Sequence, residues 1–288
     1  MSFDLAAAAS FMQGHARMVD RRRFDLAVGA GGAGAALDAV SAYRNADGGY
    51  GWGLEPDLRS AESQPAGALH AFEVFAEAGP VTSPEALALC DWLGDATLDD
   101  GGVPFALPVT DPAACAPFWA QADHATSSLQ ITGFVTAMAH RVAGHDSAVA
   151  AHPWLARASA YCCRTIDALG DSPPHALVLN AAILFADAAG DTSRLDALRR
   201  FVPADGLVHV AGGLEDESMR PLDFAPFPDR RARSLFDDAT IAHELERLAN
   251  RQEDDGGWSV DFTSYSPAAT LEWRGYATVH AVQILTAR

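Results

Sequence analysis

The sequence predicts an all-α protein, built as a single α/α toroid of five to six helical hairpins. Three observations carry that expectation. An Asp-Gly-Gly turn recurs along the chain, Ala- and Leu-rich segments with helical spacing lead into each turn, and less polar helical segments follow it.

The turn comes first. Asp-Gly-Gly stands at 47–49, 100–102 and 255–257, with a reduced Asp-Gly at 205–206. Asp47 to Asp100 is 53 positions, Asp100 to Asp205 is 105, and Asp205 to Asp255 is 50. The period is therefore about 52 residues, with a degenerate unit near the short LGDSPPHA turn at 169–176. Glycine ends a helix in a backbone conformation closed to other residues, and aspartate bonds the turn backbone. The residue that follows (Tyr50, Val103 or Trp258) is expected to tuck under the neighbouring hairpin. These residues read as structural.

The segments ALDAVSAYRN, EALALCDWLGD, WLARASAYCCRTIDAL and ATIAHELERLANRQ lead toward turns and read as outer helices. The segments QPAGALHAFEVFAEAG, SSLQITGFVTAMAHRV, HALVLNAAILFADAAG and WRGYATVHAVQILTAR are apolar nearly all round, so they read as inner helices. Residues 1–20 read as a packed N-terminal helix, and residues 1–288 as one toroid domain. A β-propeller would need period-two strands, and very few such stretches occur.

Composition narrows the partners. Against 38 acidic residues stand 20 basic ones, for a formal net charge of −18. Such a surface repels phosphate backbones, so no nucleic acid is expected. The N-terminal Ala-rich stretch lacks a preceding basic segment, and no run reaches the roughly 18 apolar residues of a membrane span. Cys90, Cys115, Cys162 and Cys163 show no metal-finger spacing and read as reduced. These points predict a cytoplasmic protein with no integral membrane contact, and they leave a homodimer open.

The segment RQEDDGGWSVDF (251–262), followed by GYATVHAVQIL, resembles the QW-type repeat of terpenoid cyclases and protein prenyltransferases through Gln252, Gly257 and Trp258. YRNADGGYGW is a copy that lacks the Gln. At this length the chain is similar to the short, actinobacterial-type single-barrel members. The resemblance implies a protein that acts on or binds an apolar isoprenoid. It also implies family motifs from which this chain departs. The nearest string to the cyclase DxDD motif is Thr97-Leu98-Asp99-Asp100, without the first Asp. Asp111 and Cys115 stand four apart where a prenyltransferase zinc site has a spacing of two. Cys162-Cys163 lacks the adjacent His of a lanthipeptide-cyclase zinc site. No metal and no other cofactor is expected.

In a toroid, the loops that run from outer to inner helix share one rim. Here they are long, broken by proline, and rich in acids and aromatics. Binding usually gathers on such loops. Glu55, Asp57 and Asp223 are the candidate acids. Trp52, Arg59, Phe118, Trp119, Asp123, Phe224, Tyr265, Glu272 and Trp273 are the candidate binding residues. Aromatic faces steady a carbocation, and a carboxyl kept neutral by apolar surroundings donates a proton. The same residue types suit a carbohydrate-active toroid with paired carboxylates. A non-catalytic binding or scaffold toroid, its bore filled by side chains, is the third reading. His70, His140, His175 and His280 fall in inner helices, where one or two could face the bore.

Overall fold

The computed structural model describes residues 3–287; residues 1, 2 and 288, which the expected first and last helices include, lie outside them. The protein is all-α. Among the described residues are fourteen α-helices and one two-stranded ribbon, Val208–His209 paired antiparallel with Ser218–Met219.

Five helices pack side by side: α2 (Met18–Ala27), α4 (Pro65–Glu77), α7 (Leu129–Ala143), α10 (Ala176–Ala188) and α14 (Pro267–Thr286). Their N-termini are marked in the sequence. Pro65 and Pro267 open α4 and α14, and the Ser128 and Ser266 hydroxyls accept from Ile131 N and Ala269 N. The five run parallel. Gly133 lies against Ala181 and His140 against Phe185, so α7 and α10 advance together. Tyr276 meets Glu73 and Gln283 meets Glu77, so α14 advances with α4. Arg17 bonds the carbonyls of Gly53 and Leu54 while Arg23 bonds Glu77, which places α2 in the same direction.

Other helices lie outside them, among them α1 (Leu5–His15), α3 (Ala33–Ser41), α5 (Pro84–Ala96), α9 (Pro153–Asp167) and α13 (Asp238–Asn250), of which α9 and α13 are the polar ones. The Asp-Gly-Gly turns join the two sets. In each, the Asp side chain accepts from the backbone N–H two positions on: Asp47 from Gly49, Asp100 from Gly102, Asp255 from Gly257. The first Gly of each has φ of +92°, +94° and +92°, the left-handed region that glycine enters at no steric cost. Each turn then docks on another outer helix. Gly48 meets Ala88 of α5, Gly101 meets Arg157 of α9, and Gly256 meets Ala7 of α1. Tyr50, Val103 and Trp258 are buried beneath. Gln252 completes the last docking, accepting from Asp4 N and donating to Asp4 O, each at 2.7 Å.

Three expectations need correction. Residues 1–20 do not form one helix: α1 ends at His15, and a second helix, α2, sets buried Asp20 and Arg23 among the parallel group. The last helix starts at Pro267 rather than at Trp273, because Ser266 caps it and Pro267 opens it. The long segment after Asp205-Gly206 does not stay at the rim. Met219 contacts Asn180 near the start of α10 and the Ala232 N–H donates to Asp187 near its end, so residues 219–232 run lengthwise beside α10.

Candidate functional site

A cavity of about 1650 Å³ runs along the parallel helices. Its lining follows α4 from Ala66 past Glu77 to Pro80, and α7 from Gln130 past Arg141 to His145. At 1.5 Å per residue that is a depth of about 20 Å. Phe118 and Tyr265 are each about half exposed and meet edge to face at 5.4 Å, so they stand at the open end. Beside them Phe105 and Trp119 stack at 4.3 Å.

One wall holds a charged chain drawn from α2, α4 and α14. The His70 imidazole donates from Nε2 to Glu55 at 2.8 Å and from Nδ1 to Glu73 at 3.0 Å. Burial alone would lower the His70 pKa, but the Glu73 charge and the bonds to both carboxylates outweigh it and raise it to about 9. His70 is therefore an imidazolium at neutral pH, and both nitrogens donate. Burial opposes the charge on Glu73 as well, yet the His70 charge wins and holds Glu73 down at about 2. Tyr276 donates its hydroxyl to Glu73 at 2.8 Å, and Arg23 forks onto Glu77 at 2.7 and 2.8 Å.

The Asp57 carboxylate sits at the aromatic end. It accepts from the Tyr265 N–H at 2.9 Å and from Trp273 Nε1 at 2.8 Å. Burial pushes its pKa up, and those two bonds only partly restore it. Its own N–H donates to Glu55 at 3.1 Å, so the two acids form one turn. Asp223 stands on a different part of the wall, in the short helix Pro221–Phe224, and accepts from Arg220 N at 2.7 Å. Burial pushes Asp223 up to about 6.

The cavity thus gathers Glu55, Asp57, Asp223, Phe118, Trp119, Tyr265 and Trp273. Five expected residues are not in its lining. Trp52 points outward, 59% exposed, and donates to Asn45. Asp123 is exposed and braces its own turn through Ala125 N and the Thr126 hydroxyl. Phe224 is packed in the core. Arg59 and Glu272 pair with each other at 2.5 Å, and Glu272 lies inside α14 rather than at its N-terminus. Asp99, the nearest approach to the cyclase acid, is exposed on the second turn.

No family model matches the chain, and neither does any curated protein. Solved structures do. One is the crystal structure of a protein from Actinoplanes, with TM-score 0.56 and 18% identity over 97% of this chain and 87% of that one. At that identity the likeness concerns the fold.

The residues that sequence reasoning missed are Arg23, Glu73 and Arg141, all lining the cavity from helices; Tyr276, which its place in an inner helix marks as core, lines it with them. Glu73 and Glu77 were the only detectable sign: two acids in an otherwise apolar inner segment. Of the inner histidines, His70, His175 and His280 line the cavity. His140 instead bonds Ser159 at 2.8 Å. Burial lowers the His280 pKa, so it is neutral at pH 7, and among the described residues it makes no hydrogen bond. Among the described residues no group of three or more His, Cys, Asp or Glu could hold a metal ion.

Proposed function

We propose that the chain is a single α/α toroid whose bore binds a small, largely apolar molecule of the isoprenoid class and acts on it by acid chemistry. The ring reading rests on the turns: the last one docks on α1, as the first docks on α5 and the second on α9. Five parallel helices and the lengthwise segment 219–232 then make six inner staves. The observation that carries the functional reading is the cavity, about 1650 Å³ and walled at its open end by Phe105, Phe118, Trp119, Tyr265 and Trp273. A scaffold toroid would fill this space with side chains; an open cavity with an aromatic mouth and a charged wall favours a ligand.

In this reading the aromatic faces steady positive charge developing on the ligand. Asp57 carries the chemistry. Its carboxyl is pushed toward the neutral, proton-bearing form by burial, and Trp273 fixes its orientation. Glu55 is held by His70 and positions the Asp57 turn. Asp223, pushed up to about 6, is the second acid. The pair Glu55 and Asp57 on one turn also favours the carbohydrate reading, in which two close carboxylates act together.

Thermal unfolding with farnesol, geranylgeraniol and short oligosaccharides tests this. An isoprenoid alcohol at a hundred times its Kd adds about 2.7 kcal/mol. Trp273→Ala should abolish that shift, and Asp57→Asn should keep the binding but remove any turnover. A shift with sugars alone would transfer the site to the carbohydrate reading.

A further inference from the structure

The cavity has a second chemical pole at the end away from Asp57. Arg141 lies in the last turn of α7, and its Nε is buried without a hydrogen-bond partner. Among the described residues Arg141 forms no ion pair. Arg230 lines the same cavity. Its one ion-pair partner is its chain neighbour Asp229, at 3.5 Å, and its Nε too is buried without a hydrogen bond. The two cations are close enough for Arg230 to add to the burial that already lowers the Arg141 pKa. Phe227 lines the cavity beside Arg141, its ring 5.9 Å from the Arg141 guanidinium. Four positions beyond Arg141, the His145 Nε2 is also buried and unpartnered, and His145 lines the cavity.

A cation with a buried, unused donor is costly unless something else completes it, and Arg141 and Arg230 each present such an Nε on one cavity. The nearby carboxylates are already engaged. Asp187 accepts from Ala232 N at 2.8 Å, and Glu73 is held by His70 and Tyr276. In a chain of net charge −18, setting Arg141, which has no ion pair among the described residues, on one cavity with Arg230, paired only with its chain neighbour Asp229, is a specific arrangement. Guanidinium groups present paired donors that match carboxylate and phosphate oxygens.

We propose that Arg141 and Arg230 bind an anionic head group, a phosphate ester or a carboxylate, whose apolar tail lies along the bore toward the aromatic end. The apolar tail rests on the reading of the cavity given above; the anion site rests on the arginines alone.

The test is calorimetric titration of the full chain with decyl phosphate, decanoate, decanol and inorganic pyrophosphate. The tailed anion that fits should bind about 10- to 100-fold more tightly than decanol, and Arg141→Met should remove that advantage while leaving decanol binding unchanged. Without ligand, Arg141→Met should melt no lower than the parent, because a buried cation without a partner has been removed. Arg230→Gln, at a partly exposed position, gives a second variant that folds and should lose part of the same advantage. Phosphate over carboxylate preference identifies the head group. Equal affinity for decanol and both tailed anions overturns the anion site and leaves the apolar reading standing. Binding of pyrophosphate without decanol supports the anion site and overturns the apolar reading.

Discussion

His70 donates to Glu55 across 15 positions of sequence, joining the turn that carries Asp57 to the middle of α4 at 2.8 Å. With Glu73 on its other nitrogen, the ring is clamped between two carboxylates and buried beside Trp273 and Tyr276. One imidazolium therefore fixes a loop, two helices and one end of the cavity wall.

This clamp sets a pH window. The His70 pKa rises from 6.5 to about 9 on folding, so its contribution is complete below pH 6.5 and is lost as pH rises through about 9. The Glu73 pKa falls from 4.5 to about 2, so its contribution is complete above pH 4.5 and is lost as pH falls through about 2. The clamp is thus strongest between pH 4.5 and 6.5. Melting temperature should fall between pH 7 and 10 more steeply in the parent than in His70→Gln. Equal slopes would remove the imidazolium from the account.

Trp273→Phe keeps an aromatic side chain but deletes the indole N–H together with the ring that carries it. Asp57 Oδ2 then loses its 2.8 Å bond inside a buried turn. A loss of about 1–3 kcal/mol is expected in a urea titration. In Asp57→Asn the same Trp change should cost much less, and a double-mutant cycle measures the coupling.

The three turn glycines should not be equivalent. A Cβ at Gly48 would stand 3.1 Å from Ala88 O, at Gly101 3.0 Å from Arg157 O, and at Gly256 2.2 Å from Ala7 O. Each Gly→Ala change costs roughly 1–2 kcal/mol for its left-handed backbone. Gly256→Ala must also push α1 away, so it should be the most destabilising and should change Trp258 fluorescence. Equal effects at the three sites would contradict the docking on α1.

Asp223 tests the other acid. Its pKa rises from 3.8 to about 6 on folding, so its favourable contribution is complete below pH 3.8 and is lost as pH rises through about 6. Asp223→Asn should therefore gain stability over the parent at pH 8 relative to pH 4. Carboxyl carbon NMR should show one resonance titrating near pH 6 that this variant lacks.

The sequence by itself determined the local architecture. Asp47, Asp100 and Asp255 bond a backbone N–H only two residues away, and Gly48, Gly101 and Gly256 need a backbone that no distant contact supplies. That Phe118, Trp119, Tyr265, Trp273, Glu55 and Asp57 share the cavity lining follows from their place in or beside the loops after those turns, and Asp223 follows the reduced Asp205-Gly206 turn. Trp52, Arg59, Asp123, Phe224 and Glu272 share those loops, yet loop membership does not say which way a side chain points. Tertiary structure alone decided the rest. Tyr276 and Glu73 are 203 positions apart, and Gln283 and Glu77 are 206. Which faces of parallel helices meet depends on how the whole set packs. A buried charge is tolerated only where that packing brings it a partner, or leaves it, as at Arg141, facing the cavity.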